Sequence, residues 1–291
     1  MKKGILLGMA ATIGLASPAL AATKTAQRMI TSQPTAAATI LTGIPGPTRY
    51  RAVQRSEVLP QGATVVSGNL LFGASPSGLV SGNAPGINLG ITANALEARA
   101  DMGLGPNFEL GTGIGYIAAT PWIGQLNMTG KFGIMGGAGS PFALAGIGGL
   151  GIISDQNGIA NVGFVLGAPI STTLMVGAAN PLMLTAAPQV SLGWISPNTP
   201  AGIAGGMQTN LGLGLGGAFG ITDALFAIVD TNLGFPTAGL ISDSNFGVRY
   251  AFSPSVTGDL FLGVKAIPAN LALAGSTTAS YGLGAGASWR F

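Results

Sequence analysis

The sequence predicts an all-β chain closed into a transmembrane, antiparallel up-and-down barrel of 12 strands, with 14 as the alternative. Three observations carry that expectation. The first is the end of the chain, TTASYGLGAGASWRF, residues 277–291. Ala279, Tyr281, Leu283, Ala285, Ala287, Trp289 and Phe291 fall on one side and Thr278, Ser280, Gly282, Gly284, Gly286, Ser288 and Arg290 on the other, the period of two that belongs to a strand. A soluble sandwich strand would carry charge on the face away from its core. Here that face is glycine and small hydroxyls, which suits lipid outside and a lumen inside.

The second observation is composition. The 291 residues are 47% hydrophobic and only 7% charged, with 49 glycines, whereas a soluble domain carries roughly 25% charged residues and about 7% glycine. No charge at all falls between Asp155 and Asp223. Helical membrane spans are the rival, because windows such as 133–153 are long enough to cross a bilayer. That window holds eight glycines, each costing a helix interior roughly 1 kcal/mol relative to Ala.

The third observation is that alternation recurs. Leu126, Met128, Phe132 and Ile134 oppose Gln125, Asn127, Thr129 and Lys131. Ile203, Met207, Leu211, Leu213 and Leu215 oppose Gln208, Asn210, Gly212 and Gly214, and Phe246, Val248, Tyr250 and Phe252 oppose Asn245, Gly247, Arg249 and Ala251. A terminal strand of this kind, closing on Trp289, Arg290 and Phe291, resembles the C-terminal assembly signal of Gram-negative outer-membrane β-barrels of the porin-like superfamily. The resemblance covers about fifteen residues and implies a superfamily rather than a substrate. It also implies outer-membrane lipid and the barrel-assembly machinery as partners, the latter through the strand that ends on Phe291.

Taken in order, residues 1–21 read as a secretory signal peptide: Lys2 and Lys3, an apolar Gly4 to Leu15, and Ala19-Leu20-Ala21 before the cut. Residues 22–62 are basic and proline-punctuated. Lys24, Arg28, Arg49, Arg51 and Arg55 face Glu57 alone, with Pro34, Pro45, Pro47 and Pro60 interrupting. This stretch reads as a periplasmic tail or as a lumen plug, its charge being opposite to that of residues 63–291, where five cations meet eight acids. Neither aromatic interleaving nor a recognition motif points to nucleic acid.

From 63 to 291 the barrel strands are expected near 63–73, 86–103, 107–118, 122–135, 141–153, 158–168, 171–194, 203–219, 223–233, 244–253, 255–266 and 277–291. Short turns at 106–107, 137–141, 167–171, 222–223 and 253–255 suit the periplasmic side; the remaining connections, longer and rich in Pro, Ser, Asn or Asp, suit the outer side. The stretch 171–194 is long for one strand, and Asn180-Pro181 offers a turn that would divide it.

Aromatic residues segregate on this scheme. Tyr116, Trp122, Trp194 and Tyr281 fall on the outer side, and Phe108, Phe132, Phe142, Phe219, Phe252, Trp289 and Phe291 on the periplasmic side, as two girdles. The strand charges Glu97, Arg99, Asp101, Glu109, Lys131, Asp230, Arg249, Asp259, Lys265 and Arg290 are expected to face the lumen. Each Arg or Lys on the lipid face would cost roughly 2 to 4 kcal/mol at the midplane. Hairpin arithmetic sets Arg249 opposite Asp259, Asp101 opposite Glu109, Arg99 diagonal to Glu109, and Glu109 opposite Lys131. Five cations and five acids give the wall no strong sign, so a salt-bridge network with weak ion selectivity is expected.

Chemistry is excluded more than indicated. The absence of His removes the usual general base and the commonest transition-metal ligand; the absence of Cys removes a disulfide framework and a lipoprotein anchor. GIGGLG (146–151) and GLGLGG (212–217) match a dinucleotide pattern but open no helix. SDQNG (154–158) and SDSN (242–245) read as turns that need no calcium. The expectation is a non-enzymatic channel for passive passage of small solutes, without cofactor or metal. The alternative is a closed structural or partner-binding barrel without transport.

Overall fold

The computed structural model describes residues 44–73, 94–118, 123–136, 140, 142–155, 158–176, 180–195, 206–235, 241–266 and 279–291. The proposed signal peptide, the N-terminal half of the basic segment, Trp122 and most of the longer connections lie outside these residues. All the regular structure described is β. The strands are β1 (Thr64–Gly73), β2 (Asn94–Gly105), β3 (Phe108–Ala118), β4 (Ile123–Met135), β5 (Phe142–Asp155), β6 (Gly158–Gly167), β7 (Ile170–Val176), β8 (Asn180–Ile195), β9 (Gly206–Gly220), β10 (Leu225–Phe235), β11 (Ile241–Ser253), β12 (Val256–Ala266) and β13 (Ala279–Arg290).

Every pairing is antiparallel and the sheet closes on itself, β1 lying beside β13 from Val65↔Arg290 to Gly73↔Gly282. Phe291 completes the seam, its N–H donating to the Thr64 carbonyl at 2.8 Å and its own carbonyl accepting from Thr64 at 3.2 Å. Closure leaves no edge among the described strands, the condition any β-structure must meet to cross a bilayer.

The described residues form thirteen strands, but β6 and β7 occupy one position between β5 and β8, so the cylinder has twelve strand positions. The expected turn at 167–171 is therefore not a turn. Ala168 and Pro169 interrupt the ladder without reversing the chain: Ala168 N–H donates to the Pro188 carbonyl at 3.0 Å, and the Pro169 carbonyl accepts from Ala145 at 3.0 Å. Proline removes one donor from a ladder but keeps its acceptor, so the strand is weakened and continues. The reversal falls instead between Val176 and Asn180, which face each other in register, and the overlong 171–194 is divided there.

Alternation follows the expected sides. Leu70, Ile114, Leu126, Phe164, Leu211 and Leu260 are all about half exposed or more on the outer face, while Ser67, Asn69, Thr173, Thr185, Asn232 and Thr257 are buried on the inner one. Four register shifts occur among the described strands: one lies between β5 and β6 at Ile153/Ser154, and three are bulges at the opposite end, at Leu104, Ile134 and Phe252. Leu104, Ile134 and Phe252 are apolar and exposed, so in each of these three the extra residue goes to the outer face while the strand bends to meet its turn.

The bulge at Leu104 corrects one sequence expectation. Gly103 lies opposite Glu109 and Gly105 opposite Phe108, so Asp101 faces Gly111 rather than Glu109. Arg249 does lie opposite Asp259, and Glu109 opposite Lys131.

Candidate functional site: the lumen and the segment inside it

The inner surface is not empty. Residues 44–62 run through the space the strands enclose and touch inward-facing groups from nearly every side. This stretch has no periodicity that would make a strand. It folds as one tight reversal, with Tyr50 N–H donating to the Val53 carbonyl at 3.0 Å and Arg55 N–H to the Thr48 carbonyl at 3.1 Å. It then leaves through a turn in which Ala63 N–H donates to the Pro60 carbonyl at 3.0 Å. Gly62 occupies the third position of that turn at φ +83°, a conformation closed to side chains other than glycine at low cost.

The tip of the reversal is held by one carboxylate. Asp230 Oδ2 accepts the backbone N–H groups of Arg51, Ala52 and Val53 at 2.9, 2.5 and 3.0 Å, and Oδ1 accepts from Asn245 Nδ2 at 2.9 Å. Three successive N–H groups pointing into one concavity make an anion nest, and Asp230, buried with 1% exposure, is the anion that fills it.

A second anchor joins the segment to β3 and β4. Glu109 and Lys131 pair at 3.1 Å with almost no exposure. Thr48 Oγ1 donates its proton to the Glu109 carboxylate (2.7 and 2.9 Å to the two oxygens), Lys131 Nζ donates to Thr48 Oγ1 at 2.7 Å, and Leu59 N–H donates to Glu109 Oε2 at 2.9 Å. A third anchor is a hydroxyl chain. Tyr50 Oη lies 2.9 Å from Thr185 Oγ1, which is 2.8 Å from Ser171 Oγ, and Ser171 accepts Ser56 N–H at 3.1 Å.

The strand charges sort around this segment. Arg249 grips Asp259 with two parallel bonds, 2.7 and 2.9 Å, and reaches the Pro45 and Arg49 carbonyls with its remaining nitrogen at 3.4 Å. Arg99 pairs with Asp101 at 2.7 Å on its own strand rather than with Glu109, and also donates to Thr129. Glu97 takes Arg51 at 2.6 Å, whose guanidinium lies 4.8 Å from the Phe261 ring centre. Eight of the ten expected lumen charges, Glu97, Arg99, Asp101, Glu109, Lys131, Asp230, Arg249 and Asp259, are thus on the inner face. Arg290 is exposed at the turn end, lining a cavity of about 350 Å³ with Arg55, Glu57 and Met135. The Lys265 backbone sits in register with Asp243 and Ser280, and its side chain is outside the described residues.

Of the aromatic residues, Tyr116, Trp194 and Tyr281 are exposed toward one end, and Phe108, Phe132, Phe142, Phe252, Trp289 and Phe291 toward the other; Phe219 is half-buried. The Tyr250 and Phe252 rings meet edge to face at 5.0 Å.

Glycine on the wall turns out to be shaped to the inner segment. A Cβ on Gly216 would sit 2.3 Å from the Tyr50 ring, one on Gly214 3.1 Å from the Val53 side chain, and one on Gly103 2.1 Å from the Pro60 carbonyl oxygen. The run 212–217 thus serves as a recess for Tyr50 and Val53. Gly216→Leu is expected to exclude Tyr50 while leaving the cylinder closed, since the new side chain fills a lumen position. The expected result is unchanged β-type circular dichroism with trypsin cleavage gained at Arg49, Arg51 or Arg55; protection equal to that of the parent would count against the recess.

Several of these residues carry no signal that a sequence reading detects. Thr48, Tyr50, Ser56 and Leu59 sit in a stretch without pattern, and their partners on the strands lie 50 to 135 residues away. Among the described residues, no group of three or more His, Cys, Asp or Glu side chains is placed to hold a metal.

No protein-family model matches the chain, and no curated protein matches it. Solved structures do. The NanC porin is 11% identical at a TM-score of 0.50, over 78% of this chain and 98% of that one. The KdgM porin in complex with disordered oligogalacturonate is 7% identical at 0.50, over 78% and 99%. The COG4313 outer membrane channel from Pseudomonas putida F1 is 13% identical at 0.50, over 81% and 98%. At such identities the likeness is one of fold: this chain is built as outer-membrane β-barrels are.

Proposed function

We propose that this chain is a channel of the bacterial outer membrane through which small solutes pass passively, and that residues 44–62 are a plug that sets how open it is. The observation that carries the reading is the source of the lumen's filling. Twelve strands about 4.8 Å apart and tilted about 40° enclose roughly 24 Å between backbones. The wall contributes mainly glycine, Ser, Thr and Asn to that width. What narrows it is a separate segment, seated by hydrogen bonds and small recesses. The structural neighbours described by name as porins or channels support the same reading.

In this reading the short turns and Phe291 face the periplasm, the signal peptide 1–21 is removed on export, and the terminal strand engages the assembly machinery. The outer face meets lipid, with the two aromatic sets as girdles. The chain is not an enzyme. The wall itself adds little ion selectivity, because Arg99, Lys131 and Arg249 each have a carboxylate partner.

A second reading, a closed structural barrel, is favoured by the extent to which the plug is tied down on several sides. Conductance in planar bilayers separates the two. The mature chain is expected to give small or intermittent openings, and the chain lacking residues 22–62 openings several-fold larger and steadier. If both proteins inserted and stayed silent, the closed barrel would stand and the channel would fall.

A further inference from the structure

The cavity left between the plug and β2, β4, β5, β6, β8 and β10 has a chemical sign. It measures about 70 Å³, room for a handful of waters or one five-atom oxyanion. Three guanidinium-bearing residues line it, Arg49, Arg51 and Arg99, with the amides of Gln54, Asn127 and Gln189, and no carboxylate is among its lining residues. The acids that partner two of these arginines stand outside it. Asp101 holds Arg99 and Glu97 holds Arg51, while Arg49 donates to the Ser67 hydroxyl at 2.9 Å and has no carboxylate within 4.0 Å among the described residues. A neighbouring recess of about 40 Å³ shares Arg49, Arg99, Gln125 and Asn127 and is lined also by Glu97, the partner of Arg51, so the carboxylate-free space is the larger cavity.

The geometry points to a binding site for a small oxyanion, a phosphate or carboxylate group, between Arg49 of the plug and Arg99 of the wall. Guanidinium presents paired donors suited to such oxygens. In a confined, partly desolvated space an uncompensated positive charge draws a counter-charge more strongly than it would in water. The amides supply further donors and keep the cavity polar without adding a competing negative charge. Because Arg49 belongs to the plug, the site exists only while the plug is seated, so an occupying anion also holds the plug in place. The site deepens the channel reading and rests on it for one consequence: a passage along this side of the plug favours anions over cations.

Calorimetric titration of the full mature chain, folded in detergent micelles, with inorganic phosphate tests the site without reference to conduction. Saturable binding is expected, weakened at least tenfold in Arg49→Gln and changed less than twofold in Arg290→Gln at the opposite end of the lumen, with circular dichroism unchanged in both. Absence of binding to the parent chain, or equal affinity in Arg49→Gln, would overturn the site. The reversal potential across a potassium chloride gradient reports the channel separately. A current that shows anion preference in the parent and loses it in Arg49→Gln supports both readings. Bound phosphate in a barrel that never conducts keeps the site and removes the channel.

Discussion

Asp230→Ala is expected to unseat residues 44–62 and to raise the rate of trypsin cleavage at Arg49, Arg51 and Arg55 by roughly a hundredfold. Arg51 and Arg55 are 7% and 3% exposed, so a protease reaches them only when the segment leaves the lumen. Removing the carboxylate leaves the N–H groups of Arg51, Ala52 and Val53 aimed at a void, along with the Asn245 amide. Hydrogen bonds to a charged acceptor contribute about 1.5 to 3 kcal/mol each, and buried donors left without an acceptor cost about 1 to 3 kcal/mol. Solvent that follows the opening recovers part of this, so a net of about 3 kcal/mol is a conservative figure, equivalent to two decades in the open population. Asp230→Asn retains an acceptor of the same shape without the charge and is expected to fall between the two. Cleavage of Asp230→Ala at the parent's rate would mean that the nest does not hold the segment.

The second large effect belongs to Glu109. In Glu109→Gln the Lys131 ammonium, with 3% of its side chain exposed, keeps its burial and loses its counter-charge. Breaking a buried pair from one side costs about 3 to 5 kcal/mol, because the remaining charge is uncompensated. The measurement is the urea midpoint of unfolding in micelles or vesicles, with the m-value as a check on the two-state assumption. Adding Lys131→Met is expected to restore most of the loss. With both charges gone no ion remains buried, and a pair replaced by apolar groups is often as stable as the pair. A midpoint for Glu109→Gln equal to the parent's would show that the ion pair is solvated in practice.

The candidate site was legible in part, and which part follows from the range of the interactions involved. Arg249 with Asp259 and Glu109 with Lys131 are neighbours across single hairpins, so counting back from a turn finds them. Asp101 with Glu109 fails by the same arithmetic because one extra residue, Leu104, is taken up beside the turn. A bulge that sends an apolar residue outward leaves the hydrophobic alternation looking regular. Pro169 misleads for a related reason. A Gly-Ala-Pro sequence has the composition of a turn, and whether it reverses the chain depends on the partners at Ala145 and Pro188, which are far from it in sequence.

The sequence by itself determined an all-β barrel with an apolar outer and a polar inner face, of twelve strands with fourteen as the alternative, because apolar surroundings on one side and polar groups on the other act on every second residue. That demand is local and is written into each strand. Only the tertiary structure decided what fills the cylinder. Residues 44–62 have no repeating pattern, and the groups that receive them, Asp230, Glu109, Thr185 and the glycines at 214 and 216, are brought within reach of one another only when β1 meets β13 and the ring is complete. Contacts that depend on closure have no short-range signature, and so the position of residues 44–62 had to be read from the folded chain.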